Sequence, residues 1–295
     1  MRGILRQRSG GVIGIEWASM LHDFGVKVTV LEAGSQIIPT EDHEIAHELH
    51  RILTLKGVQI FTNVQLDFTK TELSENEVTL QGVMNEGVKA FTSEKVLLSV
   101  GRIANIEGIG IENTDIKTDR GVLLVNEQYQ TAEQHIYAIG DCIGGLQLAH
   151  VASHEGIYAV EHIAGVATQS NPEQNIAKCI YCSPEIASIG LTEQTAREQG
   201  FEVKIGKFPF KGIGKALIKG DTEGFVKIIA DSKTDDILGV HMIGPNVTEL
   251  ISEAGLAVVL NATPWEVGKT IHPHPSLAEI MGEAALAVDG KAIHF

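Results

Sequence analysis

Three cysteines in 295 residues (Cys142, Cys179 and Cys182) are too few, and odd in number, for a disulfide framework, and they fit a reducing compartment. No run of basic residues occurs. With 23 lysines and arginines against 38 acidic residues, the formal net charge is −15, which argues against nucleic acid or an anionic membrane surface as a partner. No apolar stretch approaches the roughly 20 residues of a spanning helix. The longest lies around residues 255–260. The basic start, Met1 to Arg8, runs into a glycine turn rather than into the apolar core of a secretory signal. A cytoplasmic protein is expected. Cys179 and Cys182 have CxxC spacing but no second pair to complete a metal site. They read as two ordinary cysteines on a strand before Pro184, and no metal is expected.

What is present begins with length: 295 residues, 43% of them hydrophobic, suffice for two or three domains with sizeable cores. Residues 9–16, Ser-Gly-Gly-Val-Ile-Gly-Ile-Glu, open a helical pattern that runs to about Phe24 and stops at Gly25. Residues 26–32 alternate as a strand and end in Glu32, 21 positions after Gly11. Turn, helix, strand and terminal acid make most of a dinucleotide-binding unit. Glycines at Gly11 and Gly14 let backbone approach a pyrophosphate at the helix N-terminus, and Glu32 accepts from a ribose 2′-hydroxyl. No arginine follows Glu32 directly, which favours NAD over NADP. Two features depart from the fingerprint: Ser9 stands at its first glycine, and residues 4–8 make a poor strand.

Further along, residues 41–57 carry a helical pattern, and residues 58–61 a strand. Residues 77–80 and 88–91 pair as an inserted β-meander. Residues 95–102 read as a buried strand ending in glycine, so Gly101 is expected to face the nucleotide. A short apolar strand at 136–139 delivers Gly140 and Asp141, placing an aspartate that can hydrogen-bond a polyol or ribose; the plain alternative is a strand end with a capping acid. The Leu148-Ala149-His150 segment then leads into a helix over 152–164.

Asn171 and Pro172 mark a linker. Beyond it, strands at 179–181, 186–191 and 202–208 surround a helix at 193–199. Residues 224–231 and 237–243 form a hairpin, and Asn246 to Glu249 has capping-box spacing for a helix to about Asn261. Near the end stand residues 272–279, His-Pro-His-Pro-Ser-Leu-Ala-Glu. A residue before proline is pushed towards extended backbone, so His274 is held off a helix. Pro275 suits the first helical position, with the helix running to about Val288. Glu279 then lies early in that helix, within reach of an imidazole. A carboxylate on one ring nitrogen fixes the tautomer and raises the basicity of the other. The plain alternative is a proline-rich turn whose histidines only pack.

Taken in order, GGVIGIE, VTVLE, SVGR, YAIGD, LAHVASHEG and HPHPSLAE resemble the pyridine nucleotide-disulfide oxidoreductases over about residues 10–295. Within that family the likeness is to members that reoxidise dihydrolipoamide, on the lipoyl domain of a 2-oxo acid dehydrogenase complex, with NAD. The resemblance implies an α/β fold: Rossmann-like nucleotide-binding domains followed by an α+β dimerisation domain with an antiparallel sheet. The boundaries expected are 1–104 for the NAD domain, with its first strand incomplete, 105–170 for the remainder of the FAD or central domain, and 171–295 for the interface domain. It implies FAD and NAD as cofactors, with Asp141 on the ribityl chain, Ala149 and His150 against the flavin ring, and Glu16 near the nicotinamide. It also implies a base at His274 oriented by Glu279, a supporting role for His272, and a homodimer in which the pair works in the opposite subunit's active site.

Family members open with an FAD-binding domain that carries a redox-active CxxxxC disulfide, and this sequence has neither. The expectation is therefore a truncated chain, cut inside the first βαβ unit, that does not complete the catalytic cycle alone. Two other readings stand beside it: a related reductase of the mercuric or glutathione type, and a non-catalytic NAD-binding and dimerisation module.

Overall fold

The computed structural model describes residues 2–6 by their backbone, and residues 10–166 and 175–294 in full. Ser9 and the expected linker at Asn171 and Pro172 lie outside the described residues. Among those described, no helix is long and apolar enough to cross a membrane. The chain forms two compact units, one from Met1–Val100 and Ala177–Phe295, the other from Gly101–Ile176.

The first unit opens with β1 (Arg2–Arg6), α1 (Val12–Asp23), β2 (Lys27–Leu31), α2 (His43–Lys56) and β3 (Gln59–Phe61). Three strands then form an antiparallel meander, β4 (Gln65–Leu73), β5 (Val78–Met84) and β6 (Gly87–Ser93), before β7 (Lys95–Leu98) returns to the first sheet. That sheet is parallel throughout, in the order β3-β2-β1-β7. The weak first strand of the sequence reading is corrected here. β1 lies inside the sheet, with Ile4 opposite Thr29 on one side and Val96 on the other. Pairing along both edges outweighs a poor apolar pattern. The strand expected at 95–102 is shorter, ends at Leu98 and is half-exposed rather than buried, because β7 is an edge strand. The first strand of the meander, β4, has no counterpart in the sequence reading. Its residues are mostly exposed and carry no clear alternation of apolar side chains.

α1 and α2 cover the parallel sheet through an apolar face that includes Ile15, Ala18, Ile45, Leu49 and Leu53. Each fully buried isoleucine or leucine among them contributes about 1.5–3 kcal/mol. α2 is capped at one end by Asp42, whose carboxylate accepts from Glu44 N at 3.0 Å, and ends at Gly57 in a left-handed conformation that glycine adopts freely.

The same unit continues with β10 (Lys178–Ile180), β11 (Glu185–Gly190), α4 (Glu193–Glu198), β12 (Val203–Pro209), α5 (Gly214–Lys219), β13 (Phe225–Asp231), β14 (Ile237–Gly244), α6 (Val247–Val259), α7 (Pro264–Lys269) and α8 (Glu279–Ala287); α3 belongs to the other unit. The strands make an antiparallel sheet in the order β10-β11-β14-β13-β12. β13 is buried along its whole length. Val226, Ile228 and Ala230 join the core beneath α6 and α8, while Phe225 joins the core of α1 and α2. α8 lies close against β12: a Cβ on Gly206 would come within 2.2 Å of the Ala284 carbonyl oxygen.

Two helix starts differ from expectation. α6 begins without a side-chain cap, because Asn246 takes a left-handed conformation and its Oδ1 accepts from Lys219 Nζ at 2.7 Å. The capping box is found instead at Thr263 and Glu266, at the start of α7. α8 begins at Glu279, not at Pro275, since the carboxylate of Glu279 takes up the Ser276 N–H and the chain turns before entering the helix.

The second unit holds a short hairpin, β8 (Thr118–Asp119) with β9 (Val122–Leu123), a 3₁₀ turn at Gly140–Ile143, and α3 (Ala149–Ile163). The strand expected at 136–139 is reduced to one bridge between Gln130 and Tyr137. α3 starts three residues earlier than the sequence pattern suggests.

Candidate active site

At the glycine turn, Gly11 precedes α1 in an extended conformation, and among the described residues no side chain caps the helix. Its first-turn N–H groups therefore point out of the N-terminus with their partial positive charge unclaimed by a side chain, the arrangement that receives a phosphate. Gly14 is buried within α1. Glu32, buried just past the end of β2, accepts from Gly10 N at 3.0 Å and from Gly34 N at 2.7 Å. The turn needs glycine at this point: a Cβ on Gly10 would come within 2.9 Å of Glu32 Oε2. An ionised carboxylate has about four acceptor positions, so two remain for a ribose hydroxyl.

Glu16 does not face this turn. Its Oε1 accepts from Tyr181 N at 2.8 Å, and Ser19, one turn on, accepts from Ser183 N at 2.9 Å. These bonds tie α1 to the segment that follows β10.

The histidine loop brings its two predicted residues together. His274 Nδ1 lies 2.9 Å from Glu279 Oε1, and Glu279 Oε2 accepts from Ser276 N at 2.9 Å. Burial alone would push the Glu279 carboxyl up, but the Ser276 N–H and the His274 ring outweigh it and hold the group below its ordinary 4.5. The His274 side chain is 76% exposed. With Nδ1 engaged, its Nε2 is the nitrogen left to exchange a proton. His272 is enclosed instead, and pairs with Glu253 Oε1 at 2.8 Å.

In the second unit, Asp141 lies in the 3₁₀ turn, 3.3 Å from Arg102 Nη1, while Arg102 Nη2 donates to the Gln147 carbonyl at 2.8 Å. Gly140 N donates to Glu155 at 2.6 Å. Gly101, with φ of 118°, precedes Arg102 and is exposed. Ala149 and His150 open α3, and no side chain caps that helix.

Sequence reasoning passed over four residues that organise these places. Arg102 was legible, since it follows Gly101 directly. Glu253 and Tyr181 gave no signal, because their partners lie 19 and 165 residues away. The fourth, Lys227, lies 1% exposed, with Nζ 3.0 Å from Asp42 Oδ1, 2.8 Å from Glu44 Oε2 and 2.8 Å from Glu193 Oε2. Burial pulls this lysine down, yet the three carboxylates more than offset it and keep the group above its ordinary value. Cys179 and Cys182 are free thiols, both raised by burial, Cys182 to about 12, which makes neither a ready nucleophile.

The sequence profile of the pyridine nucleotide-disulphide oxidoreductases matches residues 10–156, and that of their dimerisation domain matches residues 176–285. A dihydrolipoyl dehydrogenase from Bacillus subtilis is 63% identical over 287 residues, covering 97% of this chain and 60% of that protein. One from Zymomonas mobilis is 41% identical, covering 97% and 61%. Among solved structures, LpdA from Mycobacterium tuberculosis superposes with a TM-score of 0.86 at 28% identity, over 96% of this chain and 61% of that one. A HOCl-induced flavoprotein disulfide reductase, RclA from Escherichia coli, solved as a Cu(II) complex, gives 0.86 at 29% identity, over 96% and 63%. The chain thus spans about 60% of the length of the curated relatives it matches.

Proposed function

The chain belongs to the pyridine nucleotide-disulphide oxidoreductase family, and on that premise we propose that it carries the NAD turn, part of the FAD site and the proton-handling pair of a dihydrolipoyl dehydrogenase. One observation carries the reading: the 2.9 Å contact between His274 and Glu279, with the second carboxylate oxygen anchored on Ser276 N. The substrate class is dihydrolipoamide, presented on the lipoyl domain of a 2-oxo acid dehydrogenase complex in the cytoplasm.

The uncapped N-terminus of α1 and the bare glycines before it fit a dinucleotide pyrophosphate, and Glu32 fits its ribose. Gly14, buried in α1, completes the glycine pattern of that turn. Asp141, held by Arg102, and the open start of α3 at Ala149 and His150 fit part of a flavin nucleotide, while Gly101, which directly precedes Arg102, is assigned with Gly11 and Glu32 to NAD. When bound, FAD and NAD supply the electron transfer. The chain's own residues manage the proton. Glu279 holds Nδ1, so a dihydrolipoamide thiol gives its proton to Nε2 of His274 and becomes a thiolate, the nucleophilic form of sulfur. The disulfide that such a thiolate attacks is spaced CxxxxC in this family. This sequence has no such pair, so the chain by itself is expected to bind NAD without sustaining turnover. Exposed apolar side chains on the C-terminal segment, Leu256, Leu260, Trp265 and Ile271 among them, support a homodimer formed through it.

Calorimetric titration tests the nucleotide half. NAD is expected to bind in preference to NADP, and E32A to weaken it about tenfold, the equivalent of roughly 1.4 kcal/mol. A preference for NADP would move the reading to another reductase of the family. Incubation with dihydrolipoamide, FAD and NAD tests the rest: sustained NADH formation would overturn the claim that the chain does not sustain turnover by itself.

A further inference from the structure

His274 is open to solvent, and among the described residues its only hydrogen-bond partner is the Glu279 carboxylate. An exposed pair of this kind holds its own geometry weakly, so the placement of the ring must come from the loop that carries it. Two residues earlier, the His272 side chain is 8% exposed. Its Nε2 reaches Glu253 Oε1, on α6, at 2.8 Å. The other edge of the ring rests on α8, where a Cβ on Gly282 would come within 3.0 Å of Nδ1 and 3.2 Å of Cε1. Gly282 follows Glu279 by three residues, so the two lie on the same face of α8. The ring is held between the helix that carries its acceptor and the helix that carries the carboxylate of the exposed pair. Pro273 and Pro275 each fix φ on either side of His274, so a displacement at His272 passes along the loop instead of being absorbed.

We propose that Glu253 is a positioning residue for His274, acting through His272, which it holds against Gly282 so that the second histidine meets Glu279. The role rests on the reading of His274 and Glu279 as the proton-handling pair. It is tested on the geometry of that pair, without turnover or nucleotide. A chain that proves inactive leaves the test readable, and a failed test leaves the activity assays untouched.

The probe is the carboxyl ¹³C titration of Glu279 in the 295-residue chain, with the thermal midpoint measured beside it. Glu279 is faced by His274 and the Ser276 N–H on the loop and by His294 near the C-terminal end, which is paired with Glu283 at 2.6 Å. If Glu253 positions the loop, E253A loosens the contact with His274 and the Glu279 midpoint rises towards 4.5. Loss of a nearby negative charge alone would move it the other way, downwards. E253Q, which keeps an acceptor for His272, restores most of the wild-type midpoint. G282A, which keeps every charge and only crowds the ring, raises the midpoint less than E253A does. If E253A does not fold, G282A decides. A Glu279 midpoint that stays put or falls in the folded variants overturns the proposal, as does an E253Q variant that behaves like E253A.

Discussion

Glu32 gives both carboxylate oxygens to backbone N–H groups, at Gly10 and Gly34, inside a buried turn. Glu279 divides its oxygens between one backbone N–H and the ring of an exposed histidine. Each is a single carboxylate near a glycine- or proline-rich loop, but they do different work. The first holds the shape of a turn and is part of the stability of its unit. The second holds a side chain that solvent already reaches, so its removal is felt in chemistry more than in folding. Buried acceptors facing the main chain are expensive to delete, whereas exposed acceptors facing a side chain are cheap to delete and matter for what they orient.

The widest test of this contrast lies at Lys227, where burial is most complete. K227M leaves Asp42 enclosed without its cation and is expected to destabilise by about 3–5 kcal/mol in urea unfolding. A loss below about 1 kcal/mol would mean that burial does not separate the two classes of carboxylate. E32A comes next. It strips the acceptor from one buried and one part-buried N–H group and should lose about 2 kcal/mol, along with protection of the Gly10 and Gly34 amides from hydrogen exchange. Smaller again is T263A, which opens the capping box of α7, the helix leading into the histidine loop, for about 1 kcal/mol by thermal unfolding.

The smallest effect on stability belongs to E279Q, and it depends on pH in a definite direction. The Glu279 carboxyl titrates below its ordinary 4.5, so its contribution is fully present above that value and is lost as pH falls through the lowered one. The difference in stability between wild type and E279Q should therefore shrink as the solution is acidified from pH 4.5 downwards. A difference that grew on acidification would contradict the pairing with His274.

Much of this is legible in the sequence. Glu32 could be placed because a strand of alternating residues ends there at a fixed offset from Gly11, and His274 with Glu279 because they stand five positions apart across a proline-stiffened loop. The parts that were not legible share a physical cause. β1 has a weak apolar pattern, and it is a strand because β2 and β7 pair with it on either side. The segment 136–139 has a good apolar pattern, yet only Tyr137 finds a bridging partner. Asn246 has the spacing of a cap, but Lys219 takes its side chain. Glu253 and Lys227 matter through partners distant in sequence. In each case the deciding interaction is long-range, and local periodicity carries no record of it.

The first unit draws on both ends of the chain, with residues 101–176 intervening. β7 and β10 are separated by the whole of that segment, so the unit closes only after both ends have been synthesised, and its contacts carry the loop-closure penalty of a long separation. A protease that nicks the intervening segment should therefore leave two pieces that still travel together on a sizing column. They would be held by Lys227 on Asp42, by Glu16 on the Tyr181 amide, and by the shared core of Ile45, Leu49, Ile186 and Phe225.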